Sequence, residues 1–242
     1  MSDARVLVVE HQADAGLGLF MWSLTESGVE LERVGPTNDR PVPETLDGYD
    51  GLIVLGGSMG PTDDEQAPWL PATRALLSAG VAQQIPTLGI CLGAQLMATA
   101  LGGHVRTNPE GPEVGLHSVE FSRDASGDPL FGEFSDSSVP VVQWHWLEAD
   151  QLPEGATLLA SSAGCQNQAF RVGPRAWGVQ FHPEALSQTA SDWAADDLQG
   201  LTELNLVADE VVAQVRAADP ELNKTWSGVA ARFAELVSAD RA

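Results

Sequence analysis

This 242-residue chain has little positive charge and few cysteines. Lys224 is its only lysine, and 12 basic residues stand against 34 acidic ones, which gives a formal net charge of -22. Because so acidic a surface repels phosphate backbones, we expect no nucleic-acid partner. The two cysteines, Cys91 and Cys165, are too few for a disulfide framework and favour a reducing compartment.

Long apolar runs are missing as well. No stretch approaches the roughly 18 consecutive apolar residues that a membrane span needs, so we expect no membrane partner. The first ten residues carry acid ahead of a short apolar run, which is the wrong order for a secretory signal. No CxxC pair or Cys/His cluster with zinc spacing occurs, and we expect neither a metal nor a cofactor. These absences predict a globular protein of the cytoplasm.

The first half of the chain alternates short β-rich runs with helical patterns. Strands are predicted at 5–9, 29–34, 51–55 and 87–90, and helices at 17–25, 69–82 and 94–101. The run at 5–9, RVLVV, is typical of a strand that is covered on both faces. This repetition predicts an α/β fold with an open, mostly parallel sheet, helices on both faces and right-handed crossovers.

The second half is richer in strands, which are predicted at 114–121, 139–144, 157–161, 168–172 and 177–180. After Pro183 the pattern turns helical and shows two apolar stripes, Leu201 to Val215 and Trp226 to Val237. Asp219-Pro220 is predicted to separate the two helices. We therefore expect a domain at 1–185 and a helical C-terminal extension at 186–242 packed on it, in a monomer or a homodimer.

The strongest local signal surrounds Cys91. The run Gly89-Ile90-Cys91-Leu92-Gly93 places the cysteine between an apolar strand and a helix, with a glycine two residues to either side. This pattern predicts a nucleophile elbow, a sharp turn around which only small residues fit. A helix N-terminus favours the thiolate, and the N–H of Leu92 should point towards a developing oxyanion. The alternative is a small buried hydrophobe, although a packed position needs no such glycine turn.

A thiolate also needs a partner that carries protons, and His182 has the best context of the five histidines. It follows a predicted strand at the carboxyl edge of the sheet, where ligand sites gather. The spacing of two puts His182 and Glu184 on one side of an extended chain, and Pro183 favours that geometry. Glu184 can then hold one ring nitrogen and leave the other for Cys91.

A glycine-rich loop, Gly56-Gly57-Ser58-Met59-Gly60, follows another buried strand. It is either a tight loop and no more, or a second set of backbone donors beside the elbow. The loop lacks the GK[ST] ending of a phosphate loop, which disfavours nucleotide binding.

Seven segments together resemble, in the same order, the class I or triad glutamine amidotransferases. They are VLGGSMG (54–60), LGICLGAQLMA (88–98), LGGHV (101–105), GPEVGL (111–116), LPEGATLLASS (152–162), NQAFRVG (167–173) and WGVQFHPE (177–184). The likeness covers residues 5 to about 185 and implies the flavodoxin-like fold of that family. It is most similar to the free-standing branch that resembles the glutaminase domain of GMP synthetase and includes plant γ-glutamyl peptidases.

The resemblance also implies roles for individual residues. Cys91 would be the nucleophile, His182 the acid and base, and Glu184 the residue that orients the histidine. The oxyanion-hole N–H groups would come from Gly57 and Leu92. The implied substrate contacts are Gln95 and a loop that reads Gln143-Trp144-His145-Trp146.

One departure from the family lies in that loop. Relatives often carry an acidic residue just after this histidine to hold the substrate's α-amino group, whereas this chain has Trp146-Leu147. Glu148 is the expected substitute. His145 is either a structural, hydrogen-bonded histidine or a substrate contact, and the sequence leaves both open.

The expected function is cysteine-dependent hydrolysis of the glutamine side-chain amide to glutamate and ammonia, for delivery to a separate, unidentified synthetase. A second hypothesis is a γ-glutamyl peptidase that acts without a partner. A third is a catalytically idle protein that binds glutamine or a partner, but the intact triad disfavours it.

Overall fold

The computed structural model describes residues 4–239. The strands are β1 (Ala4–Val9), β2 (Val29–Val34), β3 (Gly51–Val54), β4 (Thr87–Ile90), β5 (His104–Thr107), β6 (Glu113–Phe121), β7 (Ser137–His145), β8 (Leu147–Gln151), β9 (Thr157–Ser161), β10 (Ala169–Val172) and β11 (Ala176–Val179). The α-helices are α1 (Leu19–Glu26), α2 (Leu70–Gln83), α3 (Leu92–Ala100), α4 (Ser187–Asp196), α5 (Leu198–Glu203) and α6 (Ala208–Ser238).

The central sheet has nine strands in the order β2-β1-β3-β4-β11-β10-β9-β6-β7. The five strands from β2 to β11 pair in parallel, and the remaining pairs are antiparallel. From these pairings only β10 and β6 run against the common direction. The predicted α/β fold with a mostly parallel sheet is therefore confirmed.

A separate antiparallel ribbon of β5 and β8 was not predicted. The two strands read HVRT and LEADQ, so neither shows the alternation of apolar and polar residues that marks a half-buried strand. Their pairing became visible only in the folded chain.

Both faces of the sheet are covered, as β1 shows. Val6 and Val8 belong to an apolar core on the side of α1 and α6, whereas Leu7 and Val9 belong to a second core on the side of α2 and α3. Successive side chains of a strand point to opposite faces, so a continuous apolar run is what a doubly covered strand requires.

The C-terminal helices differ from the prediction. Asp219-Pro220 does not separate two helices, because α6 runs unbroken for 31 residues through Pro220. Proline removes one helical hydrogen bond and strains the preceding turn, but buried Val215 and Leu222 hold the helix against the core on both sides of it. The predicted apolar stripe from Leu201 to Val215 is divided between two helices, because α5 ends at Glu203 and α6 begins at Ala208.

The extension packs on the sheet through α6, which contacts α1, α4, β1, β6 and β7. Trp226 is fully buried there, and its indole N–H donates to the Pro140 carbonyl at 3.0 Å. Its ring lies 5.2 Å from that of Phe181 in the segment that leads to His182. The proposed division at residue 185 thus separates segments that share one core. None of the helices described is both long and apolar enough to cross a bilayer.

Candidate active site

Cys91 sits at the sharp turn between β4 and α3. Its backbone lies in the positive-φ region, at φ 51° and ψ -107°, and its N–H donates to the Val179 carbonyl at 2.7 Å. A side chain at Gly89 would come within 2.6 Å of the Gly93 backbone, and one at Gly93 within 2.1 Å of the Val54 carbonyl oxygen. The turn therefore has the elbow geometry that the sequence predicts, and strain of this kind is typical of functional sites.

His182 and Glu184 meet as their spacing predicts. The Nδ1–H of His182 donates to Oε1 of Glu184 at 2.7 Å, and both residues are buried. Cys91 lies close enough to the His182 ring for its charge to raise the pKa of that histidine. A Cβ at Gly56 would lie only 3.0 Å from Cε1 of His182, so this glycine makes room for the pair. The chain thus brings all three predicted triad residues together.

The electrostatics favour a protonated histidine. Burial alone lowers the pKa of His182, but the charges of Glu184 and Cys91 outweigh it and raise the pKa to about 10. An imidazolium at neutral pH can protonate a departing amine.

The two predicted oxyanion donors are available. Within residues 4–239 the backbone N–H groups of Gly57 and Leu92 have no hydrogen-bond partner. The neighbouring Ser58 N–H differs, because it donates to Oε1 of Gln12 at 2.7 Å. Free donors on either side of a nucleophile are what an oxyanion hole needs.

A cavity of about 610 Å³ opens over Cys91. The three predicted substrate contacts all line it: Gln95, Trp144 and His145. Gln95 is held in place, since its Nε2 donates to Oε1 of Gln180 at 3.1 Å and to the Leu147 carbonyl at 3.4 Å. Trp144 and His145 belong to β7, so the segment taken for a loop is mainly strand.

His145 uses both ring nitrogens inside the protein. Nδ1 faces the Leu147 carbonyl at 2.9 Å, and Nε2 faces Oε2 of Glu113 at 3.1 Å. Burial raises the pKa of Glu113, but hydrogen bonds from His145 and Ser162 outweigh it and leave that pKa lowered. Protein groups engage both ring nitrogens, so neither is left for a substrate. This geometry favours the structural alternative for His145.

Glu113 was missed at the sequence level. It faces His145 across the β6–β7 ladder, and it also accepts from Ser162 Oγ at 2.7 Å and from Gln168 Nε2 at 2.6 Å. No local pattern marks this glutamate, because its role depends on strand register.

The expected substitution by Glu148 is wrong. Its carboxylate accepts from Nε of Arg106 at 2.9 Å across the β5–β8 ribbon. It lines a second cavity, of about 340 Å³, together with Cys165, and not the cavity over Cys91. The ribbon, which was not predicted, determines this orientation.

Four further residues that line the Cys91 cavity were also missed: Asp14, Trp193, Asp196 and Asp197. Asp14 follows β1, and the other three lie at the end of α4 or just after it. The ring of Trp193 packs against that of His182 with centroids 4.5 Å apart. Nothing in the described residues groups three or more His, Cys, Asp or Glu side chains into a possible metal site.

A family model described as glutamine amidotransferase class-I matches residues 19–198. The chain belongs to this family. A glutamine-hydrolysing GMP synthase subunit from Natronomonas pharaonis is 35% identical to this amidotransferase over 189 residues, which are 78% of this chain and 92% of the relative. The γ-glutamyl peptidase 3 of Arabidopsis thaliana is 32% identical over 148 residues, 60% of this chain and 58% of the relative.

Solved structures agree with this assignment. A crystal structure of a glutamine amidotransferase from Thermotoga maritima superimposes on this chain with a TM-score of 0.86 and 28% sequence identity. The superposition covers 97% of this chain and all of the Thermotoga maritima chain. The protein is therefore an enzyme of the amidotransferase class. Its relatives include both glutamine-hydrolysing synthase subunits and γ-glutamyl peptidases.

Proposed function

We propose that this amidotransferase hydrolyses the side-chain amide of glutamine through a thioester on Cys91. The observation that carries the proposal is the arrangement at the cavity, where Cys91 lies beside the His182 ring and that ring is hydrogen-bonded to Glu184. The thiolate attacks the γ-carbonyl carbon, and the N–H groups of Gly57 and Leu92 hold the oxyanion. His182 protonates the nitrogen as the carbon–nitrogen bond breaks, and ammonia leaves. Water activated by His182 then cleaves the thioester and releases glutamate.

In this proposal the ammonia is delivered to a separate synthetase that binds this enzyme in the cytoplasm. The similarity to the GMP synthase subunit from Natronomonas pharaonis supports it, because that relative is named as one subunit of a glutamine-hydrolysing synthase.

A γ-glutamyl peptidase is the second candidate. A cavity of about 610 Å³ lies within the range of about 300–1,000 Å³ typical of ligands much larger than glutamine. The similarity to a plant γ-glutamyl peptidase supports the same candidate. A peptidase would release an amino acid or a peptide in place of ammonia and would need no acceptor protein.

One experiment tests the function. The purified protein is incubated with glutamine and with a panel of γ-glutamyl dipeptides, while ammonia, glutamate and the second product are quantified. Cys91→Ala serves as the inactive control. Equimolar glutamate and ammonia from glutamine support the first candidate, and fast cleavage of dipeptides with little turnover of glutamine supports the second. Turnover that survives Cys91→Ala would contradict both.

A further inference from the structure

The position of His182 defines the side of the cavity on which the leaving amine departs. This step rests on the second candidate function, a γ-glutamyl peptidase, in which His182 protonates the departing nitrogen of an amine larger than ammonia. A proton donor must lie within hydrogen-bond reach of the atom it protonates, so the amine leaves past the His182 ring. The residue packed on that ring is Trp193, at the end of α4. The leaving group therefore faces the wall that α4 contributes to the cavity.

This leaving-group wall consists of Asp14, Trp193, Asp196 and Asp197. The indole N–H of Trp193 donates to the Asp14 carbonyl at 3.0 Å, which joins the segment after β1 to α4. One carboxylate is already engaged, because Oδ1 of Asp197 accepts from the Gly200 N–H at 3.2 Å and caps α5. Within residues 4–239 the side chains of Asp14 and Asp196 have neither an ion-pair partner nor a hydrogen-bond partner.

Aromatic rings complete the surroundings. Trp144 lies 5.6 Å from Trp193, centroid to centroid, and Trp146, which is exposed, also lines the cavity. Among the described lining residues there is no lysine or arginine to neutralise the three carboxylates. Carboxylates and tryptophan faces both attract cations. Asp14 is half-buried and Asp196 is exposed.

Ammonia as the leaving group carries no second charged group that could interact with the carboxylates of the leaving-group wall. The α-ammonium of the γ-glutamyl group belongs to the acyl half of the substrate, which stays on Cys91 when the amine departs. This α-ammonium therefore lies on the opposite side of the scissile bond from the leaving group. We propose that the preferred substrate is a γ-glutamyl amide whose leaving amine carries a second, positively charged group, as a diamine does. Asp14 and Asp196 are then residues that determine specificity, and Trp193 is an aromatic contact of the leaving amine.

A matched pair of substrates tests the inference, γ-glutamyl-butylamide and γ-glutamyl-(4-aminobutyl)amide, which differ by one terminal ammonium group. We expect the wild-type enzyme to favour the charged amide in kcat/KM by about tenfold, a preference that added salt reduces. In the double variant Asp14→Asn/Asp196→Asn the ratio should fall to about one, because both carboxylates lose their charge while keeping their shape. The inference is supported if the ratio falls mainly because kcat/KM for the charged amide falls, while kcat/KM for the neutral amide changes less.

The matched control is Asp192→Asn/Glu203→Gln. It removes the same number of charges from α4 and α5, at positions that do not line the cavity, and should preserve the ratio. Equal kcat/KM for the two amides in the wild type, or a ratio unchanged by Asp14→Asn/Asp196→Asn, would overturn the inference. If both amides are still hydrolysed by Cys91 in that case, the γ-glutamyl hydrolase function stands without this specificity. Absence of Cys91-dependent turnover of glutamine and of both amides overturns the function and the inference together.

Discussion

Asp219 of α6 caps the first turn of α4 at Ser187. The Ser187 N–H donates to Oδ1 of Asp219 at 2.9 Å, and the Ser187 hydroxyl donates to Oδ2 at 2.5 Å. A charged cap of this kind satisfies a helical N–H group and complements the helix dipole. It anchors the helix that carries Trp193, and thus one wall of the cavity, to the long C-terminal helix. The residue that could have broken α6, Pro220, directly follows this cap.

Alkylation should distinguish the two cysteines. Burial raises the pKa of the Cys165 thiol to about 12, so at pH 8 it is almost entirely neutral and unreactive. Cys91 lies at the elbow beside His182 and lines the open cavity. We expect a glutamine-like chloroketone to modify Cys91 stoichiometrically and to abolish activity, as measured by peptide mass spectrometry. Cys165→Ala should label and turn over like the wild type, and labelling confined to Cys165 would contradict the mechanism.

Cys91 and His182 should act on one step. Cys91→Ala and His182→Ala are each expected to lower kcat by about 10⁴-fold or more, and the double variant should be little worse than either. The measurement is steady-state turnover of the preferred γ-glutamyl substrate, with circular dichroism to confirm that each variant folds. If the two losses multiplied, the residues would act independently.

The alkaline limit of activity should depend on Glu184. Burial lowers the pKa of His182, but the charges of Glu184 and Cys91 raise it to about 10, so the ring is expected to stay protonated until the pH approaches that value. In Glu184→Gln that negative charge is lost, so the pKa of His182 falls and the alkaline limb of kcat/KM moves to lower pH. A pH–rate profile of both proteins measures the shift. An unmoved limb together with a lowered plateau would mean that Glu184 only orients the ring.

Gly57 should tolerate no side chain. A Cβ there would lie 2.8 Å from Sδ of Met59 and 2.9 Å from Cβ of His11, so the loop has to move and its N–H shifts with it. We expect Gly57→Ala to lower kcat by about 10²–10³-fold, the effect of losing one oxyanion donor. Gly16→Ala is the control, because a Cβ at Gly16 makes only an ordinary contact, 3.7 Å from Oε1 of Glu10. Equal activity of the two variants would remove Gly57 from the oxyanion hole.

The C-terminal helix should contribute strongly to stability. Trp226 is fully buried between Phe134 and Phe181, and its indole N–H is hydrogen-bonded. Trp226→Ala is expected to lower the free energy of unfolding by about 3–5 kcal/mol in denaturant titrations, through lost burial and a cavity. Trp22→Ala should change it by less than about 0.5 kcal/mol, since Trp22 is 68% exposed. Similar losses in both variants would contradict the packing of α6.

Local signals were enough for the elbow and for the His182–Glu184 pair. Glycines flank Cys91 because neighbouring backbone lies too close to Gly89 and Gly93 for a side chain to fit there. Both glycines stand within one run of five residues, so a local sequence pattern predicts the turn. The pair is separated by two positions on an extended chain, so strand geometry alone brings the side chains together. The core strands were also predicted from the sequence, because a strand that is covered on both faces of the sheet must be apolar along its whole length.

Tertiary structure alone decided the remaining features. Glu113 reaches His145 through the register of β6 on β7, and Glu148 turns away from the cavity because β8 pairs with β5. Trp193 reaches His182 only because α4 folds back over the sheet, where α6 anchors it. Sequence patterns report a residue's local geometry and its preference for burial. Contacts between distant segments depend on the summed packing energy of the whole chain, which no short pattern records.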